Sequence, residues 1–225
     1  MKLAYYGVAI PLAHLLFWRI GAVAEGIENI PRSGPVLFAG NHQKEGDGVL
    51  VLRGIPRRVR TLVKSDNESG IALFLLGLLA DMIIIDRNSS DYGALREARY
   101  ILKSSGALLM FPGAHRIREV IGFHPGVASL ARCTDGVMIV PFGILHADHL
   151  GVSEVIRILF RGSKTKEKPT IRFGEPFKLP PAHLPSKQQR EEDVATIRRR
   201  VLDLLPEDME GENVLYVVER PANRR

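Results

Sequence analysis

Short apolar runs of strand length recur along this chain. They fall at residues 36–39, 61–63, 82–85, 107–111, 137–141, 156–160 and 170–173. Most are continuous in Val, Ile, Leu, Met or Phe, whereas Thr170-Ile171-Arg172-Phe173 alternates polar and apolar residues. Continuous apolar runs of this length suit strands buried on both faces. Helix-like stretches lie between several of them. Residues 93–104 place Leu95, Ala98, Ile101 and Leu102 at a spacing of three to four, and residues 126–133 form a second candidate. Residues 70–80 are apolar all round, so a helix there is buried or faces lipid. Strands alternating with helices predict an α/β fold: a single domain with a largely parallel central sheet of about seven strands, covered by helices.

The ends of the chain add detail. Residues 3–18 carry no Lys, Arg, Asp or Glu, and Arg19 closes the run. A bilayer span needs ~20 apolar residues, so this run is short. Ala22-Val23-Ala24 resembles a weak signal-cleavage site, but only Lys2 precedes the apolar run. We read residues 1–24 as an N-terminal membrane-interfacial helix anchored by Tyr5, Tyr6, Phe17 and Trp18. The alternative is a helix packed on the domain. A last helix is expected from about residue 187 to 205, with Ser186 and Gln189 as a capping box and Pro206 as its stop. Its Arg198-Arg199-Arg200 triplet reads as a solvated face. The body of the domain is placed at residues 25–210 and a C-terminal tail at 211–225.

A formal net charge of +6 favours anionic partners. Its basic residues are scattered without an aromatic-basic stacking motif, which argues against nucleic acid. The single cysteine, Cys133, can form no internal disulfide and reads as a small buried hydrophobe rather than a nucleophile. His146 and His149 flank Asp148, but an H-x-x-H pair with one carboxylate is weak evidence for a metal, and no metal is expected.

Chemistry concentrates just after the first apolar run. Val36-Leu37-Phe38-Ala39-Gly40 is followed by Asn41-His42-Gln43-Lys44-Glu45-Gly46-Asp47. Histidine is the side chain best suited to take a proton near neutral pH. On an ideal helix, residues five apart point ~140° away from each other. For His42 and Asp47 to converge, the chain must turn between them, and Gly46 and Gly48 are expected to ease that turn. The predicted geometry is strand, tight turn, helix start, which is where α/β folds place ligands and catalysis.

Four segments in order carry a family resemblance. Asn41–Asp47 fits an N-H-x-x-x-x-D signature, and Ile85-Asp86-Arg87 resembles a second motif. Phe111-Pro112-Gly113-Ala114-His115-Arg116 falls where a third belongs, and Val140-Pro141 where a fourth does. Together with Gly26-Ile27-Glu28-Asn29-Ile30-Pro31, they make the chain resemble the glycerolipid acyltransferase superfamily, of the lysophosphatidate acyltransferase type. The resemblance runs from about residue 25 to 205. It implies a membrane-associated O-acyltransferase on the cytoplasmic face. The co-substrate would be acyl-CoA or acyl-ACP, with no bound cofactor, and the acceptor a lysophospholipid such as 1-acyl-glycerol 3-phosphate.

The residue roles follow from that implication. His42 would be the general base and Asp47 its orienter. Arg87 and Arg116 would bind phosphate through their planar donor forks, although Asp86 and Asp91 compete for Arg87. Backbone N–H groups around Gly113 and the ammonium of Lys64 are candidates for the oxyanion, and Lys64 is equally well read as an ordinary surface residue. The third motif departs from the common F-P-E-G-T-R: Gly113 stands where the Glu would be, closer to the F-P-G-G-x-R form of diacylglycerol acyltransferase-like members. Glu119 lies near enough to substitute. That departure keeps two alternatives open, a neutral acceptor such as diacylglycerol and a non-catalytic lipid- or membrane-binding module.

Overall fold

β2 (Val36–Gly40) is buried at every residue and occupies the centre of a seven-stranded sheet ordered β1-β7-β6-β2-β5-β3-β4. The computed structural model describes residues 7, 10–44, 46–65, 82–86, 92–113, 122–163, 167–180 and 185–209. The other strands are β1 (Val23–Glu25), β3 (Arg60–Ser65), β4 (Ile83–Asp86), β5 (Ala107–Met110), β6 (Met138–Leu145) and β7 (Thr170–Phe173). All neighbours pair in parallel except β6 and β7. A largely parallel sheet needs cover on both faces, which explains its apolar runs.

Side chains alternate along a strand, so β2 feeds two cores. Val36 and Phe38 join one cluster with Leu16 and Ile20 of α1 (Ile10–Ile20), Leu50 of α2 (Asp47–Gly54) and Ile158 of α5 (Val152–Arg161). Leu37 and Ala39 join the other. There they meet Ala98 and Leu102 of α3 (Tyr92–Lys103), Val127 of α4 (Gly126–Ala131) and Ile197 of α6 (Lys187–Leu202). The result is three layers, helix on sheet on helix.

Two strand expectations need correction. Residues 156–160 are not a strand but the second half of α5. Ile158 is fully buried while Ile156 and Phe160 are exposed, a helical and not a two-residue period. An ion pair from Arg157 to Glu154, one turn apart, supports the helix. The seventh strand is instead β1, only three residues long, which pairs with β7 through Val23↔Thr170 and Glu25↔Arg172.

α1 packs Ala13, Leu16 and Ile20 onto the domain and leaves Leu15 and Trp18 exposed. Among the described residues no helix is long and apolar enough to cross a membrane. α6 starts with Gln189 N–H donating to Ser186 Oγ at 3.0 Å. The Gln189 side chain reaches forward to Asp193 rather than back to the cap, so only half of the box forms. Arg198 is buried, correcting the reading of the triplet as solvated; Arg199 pairs with Asp203, and Arg200 lies over the Phe177 ring. Cys133 follows α4, partly buried, and burial pushes its thiol pKa up, which keeps it the poor nucleophile expected. The expected helix at 70–80 and the tail at 211–225 lie outside the described residues.

Candidate functional site

The C-terminal ends of β2, β3, β4 and β5 share one edge of the sheet. In the register, Ala39 pairs with Met110, Met110 with Leu62, and Leu62 with Ile83. Counting forward from those pairs brings His42, Gly113 and Ser65 to one level. Lys64 ends one residue short of it, next to Ile85. This is the edge where open α/β sheets bind ligands.

His42 leaves β2 into a short turn, and Asp47 begins α2. His42 Nδ1 lies 2.9 Å from Asp47 Oδ2. The same oxygen accepts from Gln43 N–H at 2.6 Å and Lys44 N–H at 3.0 Å. Asp47 is fully buried, whereas the His42 side chain is 18% exposed. A carboxylate only accepts, so Nδ1 carries the proton of the neutral ring and Nε2 carries the lone pair. The other Asp47 oxygen, Oδ1, is buried and has no hydrogen-bond partner among the described residues. A carboxylate in the first turn of a helix also sits favourably in the helix dipole.

The turn is not made by glycine torsion. Gly46 has φ −69 and ψ −17, ordinary right-handed values. Its glycine is required by space, because a Cβ would stand 2.6 Å from the Leu150 carbonyl oxygen. Nothing lies within 4 Å of a Cβ built on Gly48. The Asp47 carboxylate itself draws the turn together, through the three donors on Oδ2.

Three neighbours fix the histidine, and sequence reasoning gave none of them a role. Asn41 is clamped to β6 in both directions: its Nδ2 donates to Ile144 O at 2.9 Å and its Oδ1 accepts from Ile144 N–H at 2.7 Å. Gln43 Oε1 accepts from Ala147 N–H at 3.0 Å. The His42 ring stacks on Phe111, with centroids 4.2 Å apart and planes inclined by 23°. Phe111 in turn meets Phe142 edge-on. A lone amide at the end of an apolar strand was the available signal for Asn41, since buried amides there need backbone partners.

Gly40 sets how closely β2 and β6 approach. A Cβ on it would lie 2.4 Å from both the ring and the carbonyl oxygen of Phe142. We expect Gly40→Ala to destabilise the protein by about 1–3 kcal/mol and to lower turnover by displacing His42. Urea unfolding checks the first; a wild-type midpoint would show that the strands can part there without cost.

Gly113 follows Phe111 by two residues and forms an antiparallel bridge with Phe123, while Pro112 O accepts from His124 N–H at 2.8 Å. The structure thus brings His42, Asp47 and the Phe111–Gly113 segment together. For Lys64 it describes only the backbone, at the end of β3. Arg87 and Arg116, with His115 and Glu119, lie outside the described residues. His146 pairs with Glu167 at 3.0 Å and His149 lies 3.9 Å from Asp148. No group of three metal-ligating side chains occurs among the described residues.

Comparison with curated proteins returns no match. Among solved structures, the chain is similar to the crystal structure of the 1-acyl-sn-glycerophosphate (LPA) acyltransferase PlsC from Thermotoga maritima. The TM-score is 0.61 at 21% identity, over 90% of this chain and 82% of that one. This likeness agrees with the α/β architecture. The family model described as Acyltransferase matches residues 22–145, more than half of the chain, from β1 through the end of β6. That span contains the His42–Asp47 pair, the Phe111–Gly113 segment and the Asn41 clamp, and the chain belongs to the Acyltransferase family.

Proposed function

We propose that the protein moves a fatty acyl group from an acyl thioester, acyl-CoA or acyl-ACP, to the hydroxyl of a lysophospholipid, with 1-acyl-glycerol 3-phosphate as the acceptor. The observation that carries this reading is the 2.9 Å contact from His42 Nδ1 to Asp47 Oδ2 at the sheet edge of an Acyltransferase-family chain. The similarity to a 1-acyl-sn-glycerophosphate acyltransferase supports the choice of acceptor.

Ester formation needs the acceptor hydroxyl to lose its proton as it attacks. With Nδ1 held by Asp47, Nε2 is the nitrogen that takes that proton. The hydroxyl oxygen bonds to the thioester carbon, and an oxyanion forms. As the C–S bond breaks, the imidazolium returns the proton to the leaving thiolate, so ester and thiol are released. Asp47 stabilises the imidazolium in between. Its Oδ1, which no donor among the described residues shares, leaves more of the carboxylate's negative charge for that task. Each step passes through His42, so no acyl-enzyme is needed. Backbone N–H groups near Gly113 and the Lys64 ammonium are the oxyanion donors in this reading, and Arg87 and Arg116 hold the acceptor's phosphate. The protein works at the cytoplasmic face of a membrane, where its substrates reside.

The test is an acceptor screen. A labelled acyl thioester is offered with 1-acyl-glycerol 3-phosphate, other lysophospholipids or diacylglycerol, and the products are read by lipid mass spectrometry. We expect phosphatidate and one equivalent of free thiol. A triacylglycerol product alone would assign the neutral acceptor that Gly113 leaves open. No thioester consumption with any acceptor would make the protein a lipid-binding module.

A further inference from the structure

α3 buries Ala94, Ala98 and Leu102 against the core. Tyr92, Arg96, Arg99, Tyr100 and Lys103 are exposed on it, Tyr92 by 73% and Tyr100 by 70%. At 3.6 residues per turn, these side chains fall within about 100° of arc and cover about 16 Å of helix. They form one stripe in which two phenol rings stand among three cations.

The domain does not neutralise that stripe. Exposed basic side chains elsewhere sit beside acids: Arg172 with Glu25, Lys187 with Glu191, Arg199 with Asp203. The single acid of α3, Glu97, is engaged by Arg60 of β3. Among the described residues, no acid pairs with Arg96, Arg99 or Lys103. A solvated face accounts for charges alone, but the rings add apolar area. Tyrosine and arginine are the residues on which protein interfaces concentrate their binding energy.

The stripe also begins beside the site. α3 packs on β4 and β5. β4 ends at Asp86, which pairs with Ser65 at the level of His42, and Tyr92 opens the helix six residues later. The helix then runs back toward Gly106 and the start of β5, at the opposite edge of the sheet. Tyr92 and Arg96 are therefore its part nearest the site. Three strand spacings separate β4 from β2, about 14 Å.

The proposed reaction leaves one component without a place, the carrier of the acyl thioester. An acyl carrier protein is small and acidic, and it bears its thioester on a long flexible arm. Its charge complements the stripe. Its arm lets the protein dock at a distance while the thioester reaches His42. We infer that the outer face of α3 is the docking surface for an acidic acyl carrier protein, which is thereby the acyl donor. The inference rests on the proposed acyl transfer and deepens it by choosing between the two thioesters.

Steady-state kinetics with palmitoyl-ACP and palmitoyl-CoA test it, with 1-acyl-glycerol 3-phosphate as acceptor. Wild type is expected to use palmitoyl-ACP with a KM that rises with salt. The double variant Arg96→Glu/Arg99→Glu should raise that KM by about 10- to 100-fold and leave kcat unchanged, because binding is lost and not chemistry. Its thermal midpoint and its palmitoyl-CoA kinetics should match wild type. Tyr100→Ser should raise the KM for palmitoyl-ACP by about 3- to 10-fold. Arg190→Glu, an exposed cation on α6, should behave as wild type. A wild-type enzyme that consumes palmitoyl-CoA alone would overturn the inference. So would equal losses with both donors, unchanged kinetics in the α3 variants, or an equal loss in Arg190→Glu. A double variant that keeps carrier binding and loses phosphatidylglycerol vesicles would give the stripe to lipid and overturn it too. Fluorescence anisotropy of labelled ACP separates docking from reaction. Binding that the double variant loses, with neither thioester consumed, would sink the catalytic reading and leave the surface standing; palmitoyl-CoA turnover without ACP binding would do the reverse.

Discussion

His42→Ala is expected to reduce thioester turnover by at least ~10²–10⁴-fold, the usual contribution of a positioned general base, in a protein that remains folded. The two halves of that expectation have separate grounds. Loss of turnover follows because no other side chain in the described turn can hold the acceptor's proton: Asp47 is fully buried behind the ring, and Lys44 is a cation. Retention of the fold follows from where His42 sits. It lies beyond the last paired residue of β2 and is partly exposed, and the turn keeps its two backbone bonds to Asp47 without it. Among the described residues, what is lost is the stack on Phe111 and one charge-assisted hydrogen bond, together about 1–3 kcal/mol. The slot left between Phe111 and Asp47 has the shape of an imidazole, so added imidazole should restore part of the rate. The check is thioester consumption beside a thermal melt. If the purified, folded variant still consumes thioester at the wild-type rate, His42 is not the base.

How much of this was written in the sequence differs from element to element. β2, β5 and β6 were legible because strands buried on both faces are continuously apolar, and β7 because Thr170-Ile171-Arg172-Phe173 alternates polar and apolar residues. β1 was not: three residues carry too little pattern, and its pairing with β7 joins positions 147 apart, as in Glu25 and Arg172. α5 was misread because Ile156, Ile158, Leu159 and Phe160 form a dense apolar run. In a helix that buries one stripe and exposes another apolar stripe, the helical period disappears from the sequence.

The site divides in the same way. His42 and Asp47 are close in sequence and tied by chemistry, so spacing was enough to pair them. The glycine explanation of their turn was wrong, because Gly46 has ordinary right-handed torsions and the Asp47 carboxylate gathers three donors across the turn. Asn41 and Gln43 act across about a hundred residues, on Ile144 and Ala147, and nothing local announces a partner at that distance. The result is a loop, catalytic in the proposed reaction, bolted to β6 on one side and stacked on the end of β5 on the other.

Asp47 is where fold and chemistry meet, and its variants should separate them. Asp47→Ala removes the acceptor for His42, Gln43 and Lys44 at once and leaves the buried Gln43 N–H unsatisfied. We expect a loss of about 2–4 kcal/mol, seen as a thermal midpoint lower by roughly 5–15 °C for a domain of this size, together with loss of turnover. Asp47→Asn behaves differently. Its amide oxygen can still accept from the backbone, so stability should fall by only about 1 kcal/mol. Where the amide nitrogen faces His42 instead, it donates to Nδ1 and moves the ring proton to Nε2, the nitrogen that receives the substrate's proton in the proposed reaction. In a serine-protease triad the same exchange costs about 10⁴-fold, and a fall on the order of 10³–10⁴ is expected here. A melt and a turnover assay on both variants decide the point. Near-normal turnover in Asp47→Asn would reduce Asp47 to a turn-forming residue. Near-normal stability with turnover lost would show that its charge acts on the histidine, beyond its part in shaping the loop.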